Sequence, residues 1–255
     1  MKFILLILSA LMGAPSIGHA SIKKTENKNV FGGTHWRIRV PKKGNVHVWV
    51  PKNYNRSKAG FVVYVHGYST TADGTWKVDN LAQQFKKSRQ NAMFVVPDGP
   101  SNRNDPVVWA SLTSLKRTIG RANIRLPNGP TIVIGHSGAF RTISKWTGDR
   151  LLSQIILLDA MYGGHKSFNS FIAKGRRTKL IILGRDTIES SKAFAKKHPY
   201  AVFKKSMPAR YQGFTKRERR SKLLFIKSQY DHTKIVRNQI VIPILLRLTP
   251  LKRLP

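Results

Sequence analysis

Cysteine is absent from the 255 residues, which excludes disulfides, zinc-thiolate sites, a cysteine nucleophile and a lipid-modified N-terminal cysteine. Any nucleophile must be oxygen or nitrogen. Carboxylates are scarce as well: 11 Asp and Glu face 46 Lys and Arg, giving a formal charge of +35. Long apolar runs are missing too, since the apolar stretch Phe3 to Met12 falls well short of the ~20 residues that a membrane-spanning helix needs. Hydrophobic residues nevertheless make up 41% of the chain and aromatics 9%, too much for a basic disordered tail, so the charge sits on a folded body. Such a body is drawn to anionic polymers: nucleic acid, acidic lipid headgroups or envelope glycans.

Residues 1–20 combine a short basic start (Met1-Lys2), an apolar core and small residues at −3 and −1 of Gly18-His19-Ala20. These are the parts of a secretory signal peptide cut after Ala20. An exported protein, periplasmic or extracellular, sets chromosomal DNA and ribosomes aside and makes an anionic envelope polymer or membrane surface the natural partner of the basic face. Residues 21–33 are polar and unpatterned and read as a flexible lead-in. At the other end Ile240 to Leu248 is an apolar segment packing on the body, followed by a frayed tail.

Between these ends short apolar runs recur. Trp36–Val40 and Val46–Val50 alternate across a turn and predict a two-stranded antiparallel start. Phe61–Val65, Ala92–Val96, Thr131–Ile134, Ile155–Leu158, Leu180–Leu183 and Leu223–Ile226 are continuous apolar runs, the mark of strands buried on both faces. Their starts are 24 to 43 residues apart, room for a crossover helix in each gap, and Leu81–Lys87, Ala139–Trp146 and Phe168–Ala173 have helical spacing. The expected architecture is a mostly parallel eight-stranded α/β sheet flanked by helices, one domain over residues 34–255.

The strand at Thr131–Ile134 runs into Gly135-His136-Ser137-Gly138-Ala139. A strand, Gly-x-Ser-x-small and then a helix form a nucleophile elbow. The serine sits at a tight turn, so positions −2 and +2 must be small for strand and helix to approach; Gly135 and Ala139 meet that need. Ser137 then projects from the C-terminal edge of the sheet, and the Gly138 amide at the helix start can donate to an oxyanion.

On these residues the chain resembles the α/β-hydrolase family, over most of residues 34–247. His66-Gly67-Tyr68 stands where the family carries its His-Gly, Val48-Trp49-Val50-Pro51-Lys52-Asn53-Tyr54 resembles the strand and turn before it in secreted esterases, and Val95-Val96-Pro97-Asp98-Gly99 resembles their fourth-strand end. The resemblance implies an oxyanion hole from the amides of Tyr68 and Gly138, with His66 a hydrogen-bonded strand-end histidine. It also implies the order Ser, acid, His. His232, after the last strand, is the implied base; His165 comes too early and His198 lies in a basic loop region. Two strand-end carboxylates compete for the acid. Asp186 stands at the family's usual place, whereas Asp159 is attached directly to its strand and has no adjacent cation to rival Arg185. Asp231, beside His232, is expected to cap the following helix.

No phosphate-binding loop and no His-Glu-x-x-His motif occurs. His35 and His47 have no carboxylate cluster near them in sequence, so no metal is expected, and no cofactor is required. Residues 204–222 carry Lys204, Lys205, Arg210, Lys216, Arg217, Arg219, Arg220 and Lys222 against Glu218, with Tyr200, Phe203, Tyr211 and Phe214 before and among them. This segment is a solvated loop, a lid or a landing strip for an anionic polymer. The expected function is that of a secreted serine hydrolase cleaving an ester or amide through an acyl-enzyme. The rival is a non-catalytic module that binds an anionic polymer on a hydrolase scaffold.

Overall fold

The structure, a computed structural model, describes residues 22–175 and 177–255; the expected signal peptide, residues 1–20, lies outside the described residues. Phe61-Val62-Val63-Tyr64-Val65 is buried along its whole length, and alternation divides its side chains. Phe61, Val63 and Val65 join one apolar cluster, Val62 and Tyr64 a second. The two clusters lie on opposite faces of one sheet, because successive side chains of a strand point to opposite sides.

That sheet holds ten strands: β1 (Lys23–Val30), β2 (Gly33–Val40), β3 (Gly44–Pro51), β4 (Gly60–Val65), β5 (Ala92–Pro97), β6 (Thr131–His136), β7 (Leu152–Leu158), β8 (Lys179–Gly184), β9 (Val202–Lys204) and β10 (Leu223–Lys227). Their order is β1-β2-β3-β5-β4-β6-β7-β8-β10-β9. The pairs from β1 to β5 are antiparallel, and every pair from β5 to β9 is parallel. The helices are α1 (Ala72–Val78), α2 (Leu81–Ser88), α3 (Leu112–Arg121), α4 (Phe140–Trp146), α5 (His165–Ala173), α6 (Ile188–Lys196), α7 (Lys216–Arg220), α8 (Lys234–Arg237) and α9 (Val241–Leu246). Residues of α3 to α6 belong to the first cluster, and residues of α1, α2, α8 and α9 to the second.

Ten strands replace the eight expected from apolar runs, and both additions are edge strands. Residues 23–30, read as a lead-in, pair along β2, with the register shifting between Asn27 and Val30. Nearly every β1 residue is exposed, so hydrophobic alternation could not mark it, and its lysines suit an open edge. The three-residue β9 is too short to show a period. The frayed tail is a second correction: the Leu254 amide donates to the Arg89 carbonyl (2.7 Å), and the Lys252 carbonyl accepts from Asn91 (2.7 Å). Leu251 fills the space above Gly60, where an added Cβ would lie 2.1 Å from its Cδ2.

The antiparallel start is fastened to α1 by a carboxylate that sequence proximity did not reveal. Asp73 accepts from Arg37 through Nε and Nη2 (2.7 and 2.6 Å), from Asn45 (2.9 Å) and from His47 Nε2 (2.7 Å). His35 Nε2 lies 2.9 Å from His47 Nδ1, and both rings stack on Trp76. Burial disfavours charge on both imidazoles, lowering His35 from 6.5 to about 4 despite Asp73. The unfolded chain binds this proton near 6.5 and the folded chain only near 4, so acidification through that window favours unfolding. Urea midpoints measured across it should fall with pH, and His35→Gln should flatten the slope. A variant slope equal to the parent's would show that His35 is not held neutral.

Candidate active site

Ser137 follows β6 directly, with a backbone φ of +53°, and a 3-10 turn at Ser137–Ala139 leads into α4. The left-handed region is uncommon for a residue with a Cβ and occurs where surrounding structure enforces it. The close approach of strand and helix is visible at Gly135, where an added Cβ would lie 2.2 Å from Ile143 Cδ1 and 2.9 Å from Ala139 Cβ. The β4 loop passes equally close: a Cβ on Gly67 would lie 2.8 Å from Ser137 Cβ. Tyr68 follows Gly67, and its ring packs over Gly138, where an added Cβ would lie 2.5 Å from Tyr68 Cε1. The next residue, Ser69, also has a positive φ (+62°), and its amide donates to the Ser101 carbonyl at 2.7 Å.

His232 lies in the connection between β10 and α8, and its Nδ1 donates to Asp159 Oδ2 at 2.6 Å. Asp159 follows β7, is fully buried, and has a positive φ of +48°. Its Oδ1 accepts from the amides of Arg185 and Thr187 (both 2.9 Å) and from Thr187 Oγ1 (2.8 Å), while Oδ2 also accepts from the Asp186 amide (3.0 Å). Burial alone would raise the Asp159 pKa, but the hydrogen bonds from His232 and these amides outweigh it and hold the carboxyl well below the usual range. His232 is shifted up, chiefly by the Asp159 hydrogen bond and against its own partial burial.

The other strand-end carboxylate is placed differently. Asp186 Oδ2 lies 3.7 Å from His232 Nδ1, and its side chain is 56% exposed. Asp159, Asp186 and His232 bring ligand atoms within 4.8 Å of one another, the spacing of a metal site. The donor chemistry does not fit one, because both Asp159 oxygens are occupied by N–H and O–H donors.

Two cavities flank Ser137. One, of about 360 Å³, is lined by Ser137 and His232 together with Gly67, Tyr68, His136 and Arg237. The other, of about 500 Å³, is lined by Ser137, Gly138, Tyr68, Phe140 and Tyr162, with Arg103 and Arg141. The phenol of Tyr162 is pushed up to about 12, by burial first and then by Asp159 and Asp186, and stays a neutral donor. No residue of 204–222 lines either cavity. In that segment Phe214 is buried and the Tyr211 ring is met by the guanidinium groups of Arg219 and Arg247, whereas Tyr200 and Phe203, just before it, stay exposed.

The remaining histidines divide by their partners. His66 Nε2 accepts from the Gly99 amide (2.9 Å) and Nδ1 donates to the Gly67 carbonyl (2.7 Å), which uses both ring nitrogens. Asp231 Oδ1 accepts the Lys234 amide at the start of α8. His136, immediately before Ser137, donates from Nε2 to the backbone carbonyl of His232 at 2.9 Å. Burial, and then the neighbouring His232, lower it to about 4, so the ring is neutral near pH 7. The residue preceding the serine thus tethers the loop that carries the second imidazole. Apart from adjacency to Ser137, nothing in the sequence marks it.

No protein-family model and no curated protein matches the sequence. Solved structures do match. An S-formylglutathione hydrolase from Agrobacterium tumefaciens aligns over 88% of this chain and 97% of its own, at 13% identity and a TM-score of 0.51. A fluorophosphonate-binding serine hydrolase from Staphylococcus aureus aligns over 87% and 98%, at 11% identity and a TM-score of 0.52. A feruloyl esterase module from Clostridium thermocellum, in complex with sinapinate, aligns over 88% and 87%, at 12% identity and a TM-score of 0.53. With its elbow after β6 and its mostly parallel sheet, the chain has the α/β-hydrolase fold.

Proposed function

We propose that the chain is an exported serine hydrolase that cleaves carboxylic esters, with Ser137 as nucleophile, His232 as base and Asp159 as the acid that orients it. The observation that carries this is the 2.6 Å contact of His232 with buried Asp159, on an imidazole that shares a cavity with Ser137. With Nδ1 donating to Asp159, His232 presents Nε2 as acceptor. Ser137 Oγ bonds to the ester carbonyl carbon as its proton passes to Nε2, and the oxyanion is met by the amides of Tyr68 and Gly138. His232 then protonates the leaving alkoxide, the C–O bond to the alcohol breaks, and an acyl-enzyme remains. Water repeats the sequence through the same base, giving a carboxylic acid and free Ser137. Structural neighbours described as esterases and serine hydrolases support esters ahead of amides. Export rests on residues 1–20 of the sequence.

A non-catalytic polyanion-binding module on the same scaffold is the second reading, and the charge distribution favours it. Among the described residues the cations paired with a carboxylate are Arg37, Lys204, Lys234 and Arg237, against 46 Lys and Arg in the whole chain. A fluorophosphonate probe separates the two readings. The hydrolase takes the label and Ser137→Ala does not. A parent that stays unlabelled yet binds a polyanion in a salt-sensitive manner is the binding module.

The two carboxylates have different expected effects on chromogenic ester turnover. Asp159→Asn should lower kcat by about 10³- to 10⁴-fold, the size seen when a triad acid loses its charge. Asp186→Asn should change it by less than about tenfold, as for a partly solvated charge near the base. Equal losses would remove Asp159 from its role.

His232 works as a base only when neutral, so kcat/KM should rise with pH through its ionisation. Because Asp159 raises that pKa above 6.5, the rise should be centred above 6.5, and Asp159→Asn should move it down. A parent midpoint below 6.5 would contradict the assignment.

A further inference from the structure

The two cavities beside Ser137 offer separate room for the two halves of an ester. His232 must reach the departing oxygen, so the alcohol half lies in the cavity that His232 lines. With the alcohol half placed there, the other cavity is left for the acyl half, and its volume of about 500 Å³ is in the usual range for a small-molecule site. Phe140, Tyr162 and Tyr68 give that second cavity aromatic walls, Arg103 is among its lining residues, and no carboxylate lines it.

Arg103 is exposed and has no carboxylate partner among the described residues. Its loop is fastened from both sides. Asp105 accepts from the amide and hydroxyl of Ser101 (2.8 and 2.7 Å) and from the amide and side chain of Asn102 (3.1 and 2.7 Å). The other cavity arginine, Arg141, donates to the carbonyls of Asn102, Arg103 and Asp105 at 3.3, 2.6 and 2.8 Å. The Ser69 amide, next to Tyr68, joins the same loop through the Ser101 carbonyl. Arg141 and Asp105 are therefore occupied in holding the loop, and Arg103 is the cation left to meet a ligand. Its fixed backbone lowers the ordering cost of an encounter.

We propose that Arg103 makes this acyl cavity a site for acids with a second, terminal carboxylate, so that the preferred substrates are monoesters of short dicarboxylic acids. The proposal rests on the ester-hydrolase reading of Ser137. The aromatic walls take the methylene chain, and the planar guanidinium takes the far carboxylate through paired N–H donors. Hydrolysis releases the dicarboxylate and the alcohol.

The test compares 4-nitrophenyl monoesters of succinic, glutaric and adipic acids with neutral 4-nitrophenyl esters of matched chain length. The parent should favour the monoesters in kcat/KM, and Arg103→Gln should cut that preference by roughly five- to tenfold, mainly through KM. Arg103→Lys should keep part of it. Lys222→Gln removes the same charge on a residue that lines neither cavity, and should leave the preference unchanged. An unchanged preference in Arg103→Gln, or an equal fall in Lys222→Gln, overturns the proposal in favour of the general field of the protein. Turnover of neutral esters with no preference for the monoesters overturns the proposal alone. Turnover of neither class by a parent that takes no fluorophosphonate label overturns the hydrolase reading and the proposal with it.

Discussion

Asp159, just past β7, is a fully buried carboxylate, and a buried charge is tolerable only where donors replace the water it has lost. The donors come from two other segments: the turn after β8, through the amides of Arg185, Asp186 and Thr187, and the loop after β10, through His232. Three strand ends that neighbour one another in the sheet are thereby tied at a single group. The Asp159 amide closes the arrangement by donating to the Leu183 carbonyl at 2.7 Å. Removing the charge would loosen the turn and the loop together, so the contact that orients the imidazole also shapes the floor beneath it. His136 completes the frame from the serine's side by holding the carbonyl of His232.

Most of the few carboxylates have a visible task. Asp73 fastens β2 and β3 to α1, and Asp98 accepts from the amides of Asn45 and Ala72. Asp79 holds Arg237 and Thr75, Asp105 closes its own loop, and Glu218 completes a capping box on α7 while pairing with Lys204. These groups are taken up by contacts within the fold and neutralise few of the cations. Most of the cations stand outside, where charge repulsion is softened by solvent and salt. The +35 is thus a property of the outer shell, laid over a core that closes on apolar contacts across both sheet faces.

The sequence made the middle of the sheet and the elbow legible because each leaves a local signature. A strand buried on both faces must be apolar at every position, as β4 is, and a turn as tight as Gly135–Ala139 demands small residues at fixed offsets. Edge strand β1 carries no such constraint, since its ladder is made by backbone groups that any sequence supplies. The tail after α9 is held in the same way, by amides and carbonyls. The choice between Asp159 and Asp186 depended on direction: both follow strands, yet only Asp159 turns its side chain beneath the amides of the next crossover. Periodicity carries no information about that. His136 and Arg141 act through contacts 96 and 36 to 39 residues away, which a pattern confined to neighbours cannot contain.

A strongly cationic protein is a poor place to create another cation, yet the proposed reaction passes through a protonated His232. The field of distant lysines and arginines disfavours that ion, but solvent and salt screen charges beyond ~8 Å. What remains is local. Asp159 lies at 2.6 Å and Asp186 at 3.7 Å, and Asp231 is the adjacent residue; all three favour the imidazolium. A chain with 11 acids gathers three of them around one histidine. His136, whose ring lies tilted at 4.5 Å from that of His232, avoids adding a rival charge because burial keeps it neutral down to about 4. The net result is an imidazole whose affinity for a proton is raised inside a molecule whose overall charge would lower it. With Nδ1 tied to Asp159, Nε2 is the nitrogen left to take the serine proton in the proposed reaction.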